Sequence, residues 1–301
     1  MRIFAICCVV FFCTITHNVK SQSFSEFLKT VGIRKTFDGS KKDEAKPASF
    51  FYTKDIKNKS DIYAVDLGLK ITEWELLPNS PLTLTVAPTL EYHVNKTDTF
   101  TVNNAAAGVN IQSQLWRTSD GITPGGHSIA PWVLLSSNLQ RDYVKKTNLL
   151  KVKGYLSIIS AKGLRPSLGI QNNSRSVYFR FYPYVGYEYY RGLKTEITSS
   201  SSYLTERLFF EFWPGLTKNV EVTGGTAKKK ILQITFDYSL RQKINDDYYK
   251  VNDTHFIDIG LNYYLLGNDK LGIGAEYSEG FDPGSNFQGV KKIALGVKLK
   301  L

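Results

Sequence analysis

The chain has 301 residues, 18 Tyr, 18 Phe and a formal net charge of +11 at pH 7. Its three cysteines, Cys7, Cys8 and Cys13, stand near the start, so the remainder has no disulfide and no cysteine-bound metal. No later stretch is apolar for the roughly 20 residues of a membrane-spanning helix, no nucleic-acid-binding motif is present, and the positive balance favours anionic solutes or lipid head groups as neighbours.

Met1 and Arg2 open a short basic start, and Ile3 to Ile15 is an apolar run of the length of a secretory h-region. Val19 and Ser21 fit the small-residue cleavage pattern, which predicts a signal peptide over 1–21 and Gln22 as the first mature residue. Loss of Arg2 and Lys20 with that segment lowers the net charge from +11 to +9. Residues 22–47 are polar and basic. Phe24, Phe27, Leu28 and Val31 lie at i, i+3, i+4 and i+7, which fits a loosely docked terminus or a short amphipathic helix set in a lumen or at a membrane surface.

Period-two alternation then recurs over 48–301. Successive strand residues face opposite sides, so each such segment carries one apolar and one polar or small face. Tyr63, Val65, Leu67, Leu69 and Ile71 alternate with Asp66, Gly68 and Lys70. Leu82, Leu84, Val86, Leu90, Tyr92 and Val94 alternate with Thr83, Thr85, Thr89, Glu91 and His93. Weaker segments follow at Val109–Leu115, Ile129–Leu135, Leu150–Ile158 and Leu164–Ile170. The C-terminal half is cleaner. Phe179, Phe181, Val185, Tyr187 and Tyr189 oppose Arg180, Tyr182, Tyr184 and Glu188. A strand near Leu208, Phe210 and Phe212 runs on towards Val222. Leu232–Leu240 opposes Gln233, Thr235, Asp237, Ser239 and Arg241. Ile257–Leu265 opposes Asp258, Gly260 and Asn262, and Leu271–Tyr277 opposes Gly272, Gly274 and Glu276. The last segment sets Ile293, Leu295, Val297, Leu299 and Leu301 against Lys292, Ala294, Gly296, Lys298 and Lys300. The reading is an all-β, antiparallel transmembrane barrel of about twelve strands, within a range of ten to fourteen.

The signal-like start, the even strand count, the cysteine-free remainder and the alternating C-terminal strand together resemble the outer-membrane β-barrel proteins of Gram-negative bacteria. The Gln22 start and the Lys-, Asn- and Ile-rich style are similar to such proteins from Bacteroidota. Many of these end in Phe or Trp, and this chain ends in Leu301. The resemblance implies the outer membrane as location. It also implies membrane lipids, lipopolysaccharide and the barrel-assembly machinery as partners.

With both termini periplasmic, Leu266–Asp269 and Asn172–Ser176 are short periplasmic connections. Arg191–Ser202, Gln242–Thr254 and Gly280–Gly289 are longer outer ones. Asn95–Ala106 and Leu139–Asn148 are long for inner turns, and Ser160–Gly163 is short for an outer one. Tyr187, Tyr189 and Tyr190, with Tyr263 and Tyr264, read as interfacial aromatics.

Inward positions predict a lumen lined by Asp66, Lys70, Glu91, His93, Arg180, Glu188, Asp237, Arg241, Asp258, Glu276, Lys292 and Lys298. Charged linings select permeating ions, so the pattern points to a porin-like channel for small solutes. A mixed-sign lining equally suits salt bridges that plug the barrel, which gives a non-conducting structural or secretion-associated protein as the alternative. A lipid hydrolase needs a serine activated by a base. Of the histidines His17, His93, His127 and His255, only His127 adjoins a serine, and adjacent strand residues face opposite ways. No G-x-S-x-G elbow is present. The sequence therefore predicts no enzyme activity, no cofactor, and no metal site at Asp246 and Asp247, which lack the Ca²⁺ loop pattern.

Overall fold

The structure, a computed structural model, describes residues 31–35, 48–55, 60–71, 73–77, 80, 82–96, 101–115, 129–160, 178–193, 199–222, 225–265, 271–282 and 287–299. These form sixteen strands and no helix. In chain order they are β1 (Val31–Arg34), β2 (Ala48–Asp55), β3 (Ser60–Ile71), β4 (Trp74–Glu75), β5 (Thr83–Lys96), β6 (Thr101–Gln114), β7 (Ile129–Asp142) and β8 (Thr147–Ser160). Then come β9 (Tyr178–Gly192), β10 (Ser200–Trp213), β11 (Thr217–Val222), β12 (Gly225–Lys230), β13 (Leu232–Asp246), β14 (Thr254–Tyr264), β15 (Leu271–Asp282) and β16 (Gln288–Leu299). Twelve of them close an antiparallel barrel in the order β2, β3, β5 to β10, β13 to β16, with β16 returning to β2. Closure gives each wall strand a neighbour on both sides, although β16 meets β2 over four pairs only. β1 adds to β3, β4 adds to β5, and β11 with β12 forms a separate hairpin.

The expected number of strands is met with a different membership. Ala48–Asp55 is a wall strand that the pattern missed, because Phe50 and Phe51 are adjacent and break the alternation. The expected strand Leu164–Ile170 lies outside the described residues, as do the signal segment and Phe24–Leu28. Val31 begins a strand rather than closing a helical face. The strand through Leu208 stops at Trp213, where Pro214 removes a ladder donor and Gly215 takes a φ of 86°, a left-handed turn that favours glycine.

This exchange moves the connections of the N-terminal half to the opposite end from the one expected, while those after β9 keep their expected ends. At the end that holds Ala48 and Leu299, the connections are 72–82, 115–128, 161–177, 214–231 and 265–270. At the far end, the strands are joined across 56–59, 97–100, 143–146, 193–199, 247–253 and 283–287. The connections expected to be over-long, around Asn95–Ala106 and Leu139–Asn148, fall at the far end between strands that extend further than apolar periodicity shows. The β7–β8 turn is an Asp turn: the Val144 and Lys145 amides donate to Asp142 Oδ1 at 2.9 and 2.8 Å.

Burial follows the two-residue period with its usual sense inverted. Outward side chains are apolar and exposed, among them Leu135, Leu156, Val185, Leu208, Leu261 and Leu295. Inward ones are buried and largely polar, including Asn104, Gln112, Asn138, Gln140, Glu188, Thr205, Asp258 and Asn262. Close packing inside demands small residues at points: a Cβ on Gly186 would collide with the Gly154 carbonyl and the Tyr155 ring.

Candidate functional site in the barrel interior

The interior is built in tiers. At the far mouth, Tyr190 on β9 and Tyr203 on β10 point inward, and Tyr248, Tyr249 and Phe287 fold over them from two turns. The Phe287 ring stacks on Tyr203 at 5.2 Å and meets Tyr190 at 5.3 Å and Tyr249 at 4.5 Å, edge-to-face or tilted as ring quadrupoles prefer. Phe287 adopts a left-handed φ of 57°, a conformation that non-glycine residues hold only where packing enforces it. The Tyr248 and Tyr249 amides both donate to Ser201 Oγ at 3.2 Å, which pins that turn inward.

Beneath this cap sits Glu188, which is fully buried. Its carboxylate accepts from the hydroxyls of Tyr155 and Tyr190, and from Arg241 Nε at 3.0 Å. Arg241 also donates to Ser239 Oγ at 2.8 Å and lies 5.7 Å from the Phe287 ring. The next tier is a forked pair, Arg207 Nε and Nη2 on the two Asp237 oxygens at 2.8 and 2.9 Å. The Arg207 guanidinium rests against Tyr184 and Phe209, within a cluster of Leu134, Tyr155, Tyr182, Tyr184 and Phe209. Towards the terminal end, Glu211 accepts from Trp213 Nε1 at 2.5 Å and Gln233 Nε2 at 2.8 Å. Gln233 Oε1 in turn accepts from Asn262 Nδ2 at 2.9 Å and the Tyr264 hydroxyl at 2.5 Å.

A second network lines the wall where the barrel closes. Asp66 on β3 meets His93 Nδ1 at 2.9 Å, and His93 Nε2 lies 3.5 Å from Glu91. Lys35, just past β1, reaches Glu276 at 2.7 Å and Asp66 at 3.4 Å. Lys298 stands 3.4 Å from the same Glu276, Ser278 donates to Asp258 at 3.0 Å, and Lys70 pairs with Glu73 at 2.6 Å.

Of the residues expected to face inward, Lys70, Glu91, Glu188, Asp237, Arg241, Asp258, Glu276 and Lys298 are buried, and Asp66 and His93 are largely so. Arg180 and Lys292 lie on β9 and β16, with side chains outside the described ones. Asp66, Glu91, His93, Glu276 and Lys298 converge on one wall, and Glu188 with Arg241 on another. Lys35, Arg207 and Glu211 complete these networks without having stood out in the sequence, and Gln233, read on the polar face of its strand, joins them. Arg207 and Glu211 alternate with apolar residues in Leu204–Trp213, but Phe209 and Phe210 put aromatics on both faces and mask the period. Tyr190 and Tyr264, expected at a membrane interface, turn inward and are buried, while Tyr187 and Tyr263 face out.

Chemically, the ionised groups described inside the barrel are compensated. Each carboxylate above holds a cation, a hydroxyl or an amide, which is what burial of charge requires. His255, one of the candidate bases, is exposed on the outer side of β14. No protein-family model matches this chain, and no curated protein matches it.

Proposed function

We propose that this protein is an outer-membrane β-barrel with a sealed interior, serving a structural or secretion-associated role rather than solute passage. One observation carries the reading: the wall presents exposed apolar side chains outward, and the polar side chains inside are buried. In water this arrangement wastes the hydrophobic effect, whereas in a bilayer it matches hydrocarbon outside and hydrogen-bonded polar groups inside. Wall strands of eight to fifteen residues bracket the roughly 9–11 that a tilted strand needs to cross. A porin-like channel for small solutes is the second reading, favoured by the charged lining. The burial of that lining, in ion pairs and under the far-mouth aromatics, weighs for the sealed barrel. With both termini periplasmic, the long connections and the β11–β12 hairpin face the periplasm, the side where a secretion or assembly partner meets them.

The test is to fractionate membranes, show a heat-dependent mobility shift typical of a folded barrel, and record currents in a planar bilayer. A folded barrel that stays silent supports the sealed reading. Discrete, stable conductance steps restore the channel, and recovery in the soluble fraction defeats both.

A further inference from the structure

The ladder between β2 and β16 is the shortest in the closed wall. It consists of Gly296↔Phe51, Val297↔Phe50, Lys298↔Ser49 and Leu299↔Ala48. On its other side β16 pairs with β15 over its whole length, from Leu271↔Leu299 to Asp282↔Gln288. Among the described residues, then, Lys292–Leu295, which the register sets opposite Tyr52–Asp55, are bonded to β15 and not to β2. Side-chain exposure reports the same gap. Ile293 and Leu295 are 77% and 66% exposed, more than any other large apolar residue described.

The lower part of this seam is tied from within. β2 is carried by β3 from Ser49↔Asp66 to Asp55↔Ser60, and β1 adds to β3 on the same flank from Arg34↔Gly68 to Val31↔Ile71. Immediately after β1, Lys35 Nζ lies 3.4 Å from Asp66 on β3 and 2.7 Å from Glu276 on β15. β3 and β15 are the strands that flank β2 and β16, so a single ammonium spans the seam. Lys298 of β16 joins the same carboxylate at 3.4 Å, and Ser49 of β2 donates to Asp66 at 3.5 Å.

We propose that the β2–β16 seam is a lateral gate in the barrel wall and that Lys35 is its latch. An unpaired strand edge in hydrocarbon costs several kcal/mol per backbone group, so the upper seam is the weakest place in the wall and the one from which it parts. The Lys35 bridge holds the four remaining pairs together. Its release opens the wall sideways, towards the bilayer, without disturbing the far-mouth cap. The proposal stands on the geometry of the seam and is independent of whether the lumen conducts.

Paired cysteines test it, because cysteines occur naturally only at positions 7, 8 and 13. Phe50→Cys with Val297→Cys bridges an existing register pair. Tyr52→Cys with Leu295→Cys bridges the first pair beyond the ladder. Ile273→Cys with Val297→Cys bridges the β15–β16 wall as a control. Disulfide formation is timed in isolated membranes under mild oxidation. The 50–297 and 273–297 pairs are expected to close quickly, and the 52–295 pair about tenfold more slowly, since bridging needs Cα atoms within about 7 Å. Lys35→Met slows the 50–297 pair by about tenfold, the weight of one charge-assisted bridge, while Lys35→Arg keeps it fast. The 273–297 pair stays fast in both, which separates opening of the gate from failure to fold. Glu276→Gln provides a second route to the unlatched state. Equal rates for 50–297 and 52–295 overturn the gate, and a 50–297 rate indifferent to Lys35→Met overturns the latch.

Discussion

Arg241 Nε stands 3.0 Å from a carboxylate oxygen of Glu188, which has no exposed surface. The pair joins β9 to β13 across the β10 strand that lies between them. Tyr155 and Tyr190 donate to the same carboxylate, so its charge is compensated from several directions. Such a constellation is stable as a unit and costly to break in part, because removing one member strands the other charge away from water.

Arg241→Met should therefore destabilise the folded barrel by about 3–5 kcal/mol, the range for an orphaned buried ion. Glu188→Gln combined with Arg241→Met should recover a large share of that loss. Urea-dependent refolding into detergent micelles, followed by the gel mobility shift, measures both. A double variant as unstable as the sum of the two single ones would show that the residues act separately.

The Phe287 cap gives a second expectation. Phe287 is almost fully buried against Tyr190, Tyr203 and Tyr249. Phe287→Ala should cost about 3–5 kcal/mol through lost transfer energy and the cavity left behind. It should leave the barrel silent in a planar bilayer, since the Glu188–Arg241 tier and the Tyr182–Phe209 cluster still fill the interior beneath. Steady conductance in this variant would identify the cap as the sole closure and return the wild type to the class of gated channels.

The period-two rule made most of the interior readable from sequence. Asp66, Lys70, Glu91, Glu188, Asp237, Asp258, Glu276 and Lys298 alternate with apolar neighbours, Arg241 follows Leu240, and all turn inward. The rule works because the pleat forces alternate side chains to opposite faces whatever the tertiary context. It failed where that signal is weak or absent. β2 is short and carries adjacent phenylalanines. Thr101–Gly108, the first half of β6, alternates mainly among small and polar residues, so its apolar count is low although it is fully paired. Aromatics near strand ends, such as Tyr190 and Tyr264, suit a membrane interface and a packed interior equally by composition. Lys35 had no local signal at all. Its role arises from strands far away in sequence that meet only on closure, a non-local fact that no window along the chain contains.

The outward face provides the sharpest test of the membrane itself. Leu261 lies on β14, is 47% exposed, and is flanked along the strand by outward Ile259 and Tyr263. In a bilayer, Leu261→Arg places a cation in hydrocarbon, at a cost of about 2–4 kcal/mol near the midplane. For a barrel in water the same change replaces an exposed apolar group with a solvated one and falls within about 0.5 kcal/mol of neutral. Refolding into lipid vesicles distinguishes the two when Leu261→Arg is compared with Lys291→Arg, which conserves charge at an exposed β16 position near the far rim. A marked loss for Leu261→Arg beside an unchanged Lys291→Arg follows from a lipid-facing wall. Two neutral results would mean that the exposed apolar belt faces water or a protein partner, and the membrane reading would then fall.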